Sequence, residues 1–273
     1  MQSKVSIIVV CLCGASVLCA QTNPPPAQPT PPPASSTSTS TSPGQRSGVS
    51  YVRRFSAGLT LSVLGLSTVG SGTSTVNTSS MVTTGYSTKG ASSRIGYGAT
   101  AQASLTDHFA LSAGVFLHKI GYQLMTSVNT TTNVLEGGIV VPITTTTSSH
   151  EDTRGRLIDV PLVLRFYGKN RHTPGPRWFF EGGGAYRDAT NLRTSLDTTD
   201  ASGVNTCCKS APTQAAHKNS RGFVAGAGIQ LIDPFGIRVI PEVRYTRWVN
   251  EIFSAFSTHT QKNQVEASLT LSF

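Results

Sequence analysis

The sequence has no apolar run after its first twenty residues that approaches the ~20 residues a membrane-crossing helix needs, so a membrane-resident form has to be a closed β-barrel. Charge is scarce, at 13% of residues, and the apolar side chains are spread thinly among Ser, Thr and 26 Gly, which excludes the dense apolar blocks of an α/β core. Cysteine is also scarce. Three of the five (Cys11, Cys13, Cys19) lie in the apolar leader, and the remaining Cys207 and Cys208 are adjacent, so no disulfide framework is expected. A free pair, or bonding to a partner, remains open for them, and no metal-ligand cluster or cofactor motif is visible. The net charge of +9 arises from dispersed Lys and Arg without a nucleic-acid-binding motif. Attraction to anionic lipid, notably lipopolysaccharide phosphate, and ordinary solvated loop charge are the two readings of that excess.

Lys4 followed by apolar Val5 to Ala20 reads as a signal peptide over residues 1–20, with a weak cleavage pattern at Leu18-Cys19-Ala20. Residues 21–50 are Pro, Ser and Thr rich and too poor in apolar side chains to offset ordering entropy, so a disordered periplasmic linker is expected there.

From residue 51 to 273 the pattern changes to eight segments of about ten residues that alternate apolar and polar side chains, the length and period of tilted barrel strands. Phe55 to Val63 is the first. Ile95 to Leu105 and Phe109 to Leu117 follow, the latter with an expected phase shift near Lys119. Leu157 to Tyr167, Arg177 to Arg187, Phe223 to Leu231, Ile237 to Tyr245 and Gln264 to Phe273 complete the set. In the last, Val265, Ala267, Leu269, Leu271 and Phe273 share one face and end at an aromatic carboxyl terminus.

An Arg or Lys facing lipid costs about 2–4 kcal/mol at the bilayer midplane, so the charged faces must turn inward. That places Arg54, Asp159, Arg165, Glu181, Arg187, Arg238, Glu242, Arg244 and Glu266 in the lumen, where acids and bases can pair. An eight-stranded barrel is only wide enough for its interior to be filled by side chains. Links alternate between short (Thr106 to His108, Gly168 to Pro176, Asp233 to Gly236) and long (Gly65 to Ser93, Thr126 to Gly155, Asp188 to Ser220, Val249 to Asn263). Short links are expected in the periplasm and long ones outside.

RLIDVPLVLRFYG, WFFEGGGAYRD, GIRVIPEVRYTRW and the terminal SLTLSF resemble successive strands of the porin-family outer-membrane β-barrel domain, the small OmpA/OmpX-type barrels. The resemblance covers residues 51–273. It implies an all-β fold, an eight-stranded antiparallel up-and-down transmembrane β-barrel with a disordered N-terminal leader, integral to a bacterial outer membrane. It also implies a final strand read by the barrel assembly machinery, outer-membrane lipid and lipopolysaccharide as partners, and a monomer. No peptidoglycan-binding domain is seen after the barrel, so an OmpA-like anchoring role is not implied.

Function is open among three readings. A structural, surface-interaction or minor-permeability barrel has its lumen plugged by the Arg/Glu pairs, and Glu242→Ala would raise conductance if those pairs formed a gate. A lipid A-modifying rim enzyme would use His118 and Tyr122, or His150, Glu151 and Asp152, although no pattern fixes a nucleophile beside a base. An adhesin-like barrel would use TTTNVLEGGIVVPITTTT, a hairpin about Gly137-Gly138 whose edge could accept a partner strand. A non-catalytic role is the expectation.

Overall fold

The computed structural model describes residues 53–273 apart from Pro174, Gln214, Pro234, Phe235 and Phe256. The expected signal peptide and linker lie outside the described residues. Thirteen strands follow in order. They are β1 (Phe55–Leu64), β2 (Gly72–Ser79), β3 (Val82–Gly90), β4 (Ile95–Ser104), β5 (Phe109–Glu136), β6 (Ile139–Tyr167), β7 (Arg177–Thr199), β8 (Asn205–Ala211), β9 (Asn219–Ile232), β10 (Arg238–Trp248), β11 (Ser254–Ala255), β12 (Thr258–His259) and β13 (Asn263–Ser272).

Eight of these, β1, β4, β5, β6, β7, β9, β10 and β13, close a ring of antiparallel pairs in sequence order, with β1 against β13 sealing it. Each covers one of the eight alternating segments read from sequence to within one residue. The ring is staggered. Following register partners from His118 through Gly96, Ser62, Ser268, Glu242, Gly228, Phe179 and Tyr167 leads to the bond from the Tyr167 amide to the His108 carbonyl, ten residues back along the chain (118 to 108). That shear, together with the strand number, sets the strand tilt and the width of the bore.

The long segments are more ordered than the sequence suggested. β5 and β6 run on as one continuous hairpin from Phe109 to Tyr167, turning at Gly137 (φ 60°) and Gly138 (φ 87°), the left-handed pair a two-residue hairpin turn requires. From His118 to Glu136 the hairpin continues for roughly 60 Å of strand. β3 pairs with the outer half of β5, β2 with β3, and β8 with the outer half of β7. A sheet of six strands, β2-β3-β5-β6-β7-β8, therefore stands on one side of the long-loop end.

The phase shift expected near Lys119 does not occur. β5 keeps an unbroken register with β6, and Ala110, Ser112, Phe116, His118, Ile120 and Tyr122 all turn inward. What changes there is the environment. Below Lys119 the interior holds the charges along with one apolar layer and the outside is apolar, whereas above it the interior is apolar and the outside polar, so the hydrophobic pattern inverts on a strand of unbroken register.

Candidate functional site

The inward faces build a layered interior. Next to the short-turn end, the Arg177 guanidinium stacks over the Tyr167 ring at 4.1 Å and donates to the Lys169 and Asp107 carbonyls, while Arg238 donates to the Arg53 carbonyl. Ala110, Tyr167, Phe179 and Ile240 form an apolar layer.

A closed charge quartet comes next. Arg165 bonds Glu181 at 2.8 Å and Glu242 at 2.5 Å, and Arg244 bonds the same two carboxylates at 2.9 and 2.5 Å. All four side chains are at most 6% exposed. Each guanidinium also lies over an aromatic ring, Arg165 on Phe179 at 4.6 Å and Arg244 on Phe116 at 5.3 Å. Stacking, and the bridging of two carboxylates by one planar guanidinium, together suit Arg and not Lys at these positions.

Towards the long-loop end, Arg187 makes two 2.6 Å bonds to Asp159, a third to Gln264, and stacks on Trp248 at 4.0 Å. His118 stands between Asp159 and Glu266, 3.5 Å from each. The space between Phe116, Asp159, Arg244, Trp248, Gln264 and Glu266 is a cavity of about 10 Å³, room for about one water. Above it, Val69, Ile120, Tyr122, Leu157, Ala189, Ile252 and Phe253 form an apolar cap, with Tyr122 and Phe253 edge to face at 5.0 Å. Burial in this cap raises the Tyr122 phenol to about 12.

Of the nine charges assigned to the lumen from sequence, Asp159, Arg165, Glu181, Arg187, Arg238, Glu242, Arg244 and Glu266 are buried inside the ring. Arg54 is not. It precedes β1, is exposed, and its carbonyl accepts the Ser104 amide, so the strand begins one residue too late to turn it inward. Sequence reasoning missed Phe116, Tyr167, Phe179 and Trp248, as well as Arg177, Gln102, Gln230 and Gln264, which share the interior with the charges. Their inward parity was the available signal. Phe179 lies two residues before Glu181, and Tyr167 two after Arg165.

The residues considered for catalysis fall in different places. His118 is 2% exposed, with Ser62 Oγ 3.3 Å from its Nε2 and Asp159 3.5 Å from its Nδ1. That order resembles a hydrolase triad, but the ring fills the space over Gly96, where a Cβ would come within 2.2 Å of His118 Nε2. With the cap above it and Ser62 fully buried, a substrate has no approach. Tyr122 donates to Glu151 at 3.3 Å inside the cap. His150, Glu151 and Asp152 were expected in a loop. They lie on β6, where alternation turns Glu151 towards Tyr122 and Asp152 outward to Arg154 at 2.7 Å. Among the described residues no group of His, Cys, Asp or Glu is arranged to hold a metal. Cys207 and Cys208 are free and exposed on β8.

The outer wall decides what surrounds the ring. Each of the eight strands presents a large apolar residue outward: Leu59 (73% exposed), Tyr97 (58%), Val115 (46%), Leu162 (53%), Phe180 (59%), Phe223 (73%), Val243 (57%) and Leu269 (46%). Water cannot be the medium of an apolar surface that encircles the molecule while its charges are packed inside. The chain is a transmembrane-type β-barrel. Towards the short-turn end its wall carries a girdle of touching aromatics, Phe109, Phe166, Trp178 and Phe180, as such barrels do at a membrane interface. Val265, Leu269, Leu271 and Phe273 of the last strand, together with Ala267, face outward in this belt.

No family model and no curated protein matches the sequence. Among solved structures, the barrel aligns with Ail, the attachment invasion locus protein of Yersinia pestis, in complex with the heparin analogue sucrose octasulfate. The identity is 8%, over 81% of this chain and 100% of that one, with a TM-score of 0.28. It also aligns with the translocator domain of autotransporter NalP from Neisseria meningitidis, at 8% identity over 80% of this chain and 87% of that one, with a TM-score of 0.24.

Proposed function

We propose that this barrel is a surface-interaction protein whose lumen is closed to solutes and whose working part is the β5–β6 hairpin beyond the membrane. One observation carries the reading. The hairpin ends in aliphatic side chains exposed on both faces, with Leu135 at 72%, Ile139 at 70% and Val140 at 59%, and the only charge between Thr126 and Ser149 is Glu136. An apolar tip held roughly 60 Å beyond His118 has no structural duty in the barrel and is costly to leave in water. In this reading the long-loop end faces the cell exterior, the short turns face the periplasm, and the residue 21–50 segment is a periplasmic linker. The alternation of charged and aromatic layers in the bore supports a non-conducting, non-catalytic barrel.

The test is adherence. Cells displaying the parent chain are expected to bind apolar or lipid-coated surfaces, and those displaying Leu135→Ser/Ile139→Ser/Val140→Ser at equal surface level are expected to lose that binding. Equal adherence by the two would refute the role of the tip.

The adhesin-like reading through strand pairing has its own observation. β6 gains its β7 partner only at Ser148, so residues 139–147 leave an edge with no strand beyond it among the described residues. A partner strand could add there, although Pro142 removes one donor from that edge. Thr144→Pro with Thr146→Pro would abolish binding of that kind while leaving the apolar tip intact.

A further inference from the structure

Directly above the apolar belt, on the wall formed by β5, β6 and β7, four basic residues converge. Lys119 is the register partner of Arg156, and Arg154 is the partner of Arg193 across to β7. All four are exposed. They border a concavity of about 680 Å³ to which the segment before β4 contributes Ser92 and Ser93.

The hollow has a local cause. Gly121, the register partner of outward-facing Arg154, leaves its floor without a side chain, and the β6–β7 register slips between Arg154 and Arg156. At the same level Asn191 adopts φ 52°, a left-handed conformation uncommon for a residue other than glycine. A bulge of this kind re-aims side chains and splays the strands. Ser92 fastens the third wall, since its hydroxyl donates to the Gly121 carbonyl and accepts from the Gly121 amide, both at 3.1 Å.

The charge there is poorly compensated. Asp152 neutralises Arg154 at 2.7 Å, and half-buried Asp188 sits one step lower, opposite Ile158. No carboxylate among the described residues forms an ion pair with Lys119, Arg156 or Arg193. Immediately below, on the same strands, Leu117, Ile158, Val160 and Tyr186 face outward into the lipid belt.

We infer that this hollow binds the phosphorylated headgroup of an outer-leaflet glycolipid, with acyl chains lying on the belt below and phosphate among Lys119, Arg156 and Arg193. A ligand that is anionic at this height and apolar beneath it is an amphiphile, and Arg forks pair phosphate oxygens two at a time. The inference rests on the long-loop end facing the cell exterior, but not on the role of the tip.

The experiment titrates the detergent-solubilised barrel with bis-phosphorylated lipid A and counts bound lipid by native mass spectrometry. Dephosphorylated lipid A and inorganic phosphate are the comparison probes. One tightly held bis-phosphorylated lipid is expected, weakened about a hundredfold in Lys119→Gln/Arg156→Gln/Arg193→Gln, from three lost surface charges. Arg221→Gln/Arg247→Gln, which removes two exposed bases elsewhere on the same rim, is expected to bind as the parent does. Equal retention of dephosphorylated lipid, equal binding by the triple variant, or equal loss in the Arg221/Arg247 variant would each overturn the site. So would full displacement by millimolar inorganic phosphate, which would leave a plain anion site. A gel-mobility check that each variant is a closed barrel separates loss of the site from loss of the fold, and parent protein recovered only as an unshifted soluble band would refute the membrane reading itself.

Discussion

Glu242→Ala tests whether the quartet in the bore acts as one unit. In the parent, two guanidiniums and two carboxylates are joined by four bridges of 2.5–2.9 Å, with no net charge. Removing Glu242 deletes two bridges and leaves Arg165 and Arg244 sharing Glu181, a buried excess of one positive charge. Breaking a buried pair in this way costs about 3–5 kcal/mol, because the remaining ion stays desolvated. Arg244→Met alone leaves the opposite excess and a cost in the same range. The double variant Glu242→Leu/Arg244→Met keeps the 2.8 Å Arg165–Glu181 bridge and restores neutrality. Independent sites would make it cost about 6–10 kcal/mol, whereas a coupled quartet makes it no more costly than either single variant. Reversible urea unfolding in lipid vesicles, read by the mobility difference between folded and unfolded bands, measures all three. Single variants that each cost under about 1 kcal/mol would mean that the charges are hydrated and the bore is wet. A double variant equal to the sum would mean that the four side chains do not act together. In planar bilayers the Glu242→Ala barrel is expected to stay at baseline, because Tyr167, Phe179, Phe116 and the cap still fill the bore. A rise in single-channel conductance would restore the gate reading.

Other predictions follow from the cap, the packing over His118 and the outer sheet. Gly96→Ala drives a Cβ into the His118 ring and should lower the unfolding midpoint clearly, while His118→Ala in the same background should recover part of the loss; no recovery would separate the two sites. Tyr122 should ionise only near pH 12, against about 10 for a free tyrosine, as followed by ultraviolet difference absorbance against Tyr122→Phe. Its raised value means that the linked stability is fully present below about pH 10 and is lost as pH rises through 12, and a titration near 10 would show that the cap is open to water. Cys207 and Cys208 should both accept maleimide on intact cells without denaturant. Cys208 should react slowly at neutral pH, because its neighbour Cys207 raises its thiol; protection of both in displaying cells would contradict their exposure on β8.

The barrel was legible in the sequence because lipid on one side and buried charge on the other force a period of two, as in Leu269 and Leu271 against Glu266 and Thr270. Beyond the membrane that contrast fades. The Thr-rich arms of β5 and β6, and β2, β3 and β8, meet water or polar neighbours on both faces, so they alternate weakly and read as loops. The hairpin about Gly137-Gly138 stood out because turn chemistry does not depend on the solvent. Lys119 misled for the same reason, since an inversion of surroundings looks like a slip of register. In the candidate sites, charges were found because their burial needs partners. The aromatic rings stacked on them, and the basic hollow beside Gly121, depend on neighbours far apart in the chain.

β5 and β6 pass from the short-turn end to the apolar tip without a hinge, so a tug at Leu135 or Val140 is not absorbed in a flexible loop. Tension directed along the strands is carried into the ladders with β4 and β7, where many hydrogen bonds bear it in parallel and none is peeled away alone. The hairpin is thereby a stiff mast stepped in the barrel, and a contact made at its tip is mechanically anchored in the membrane.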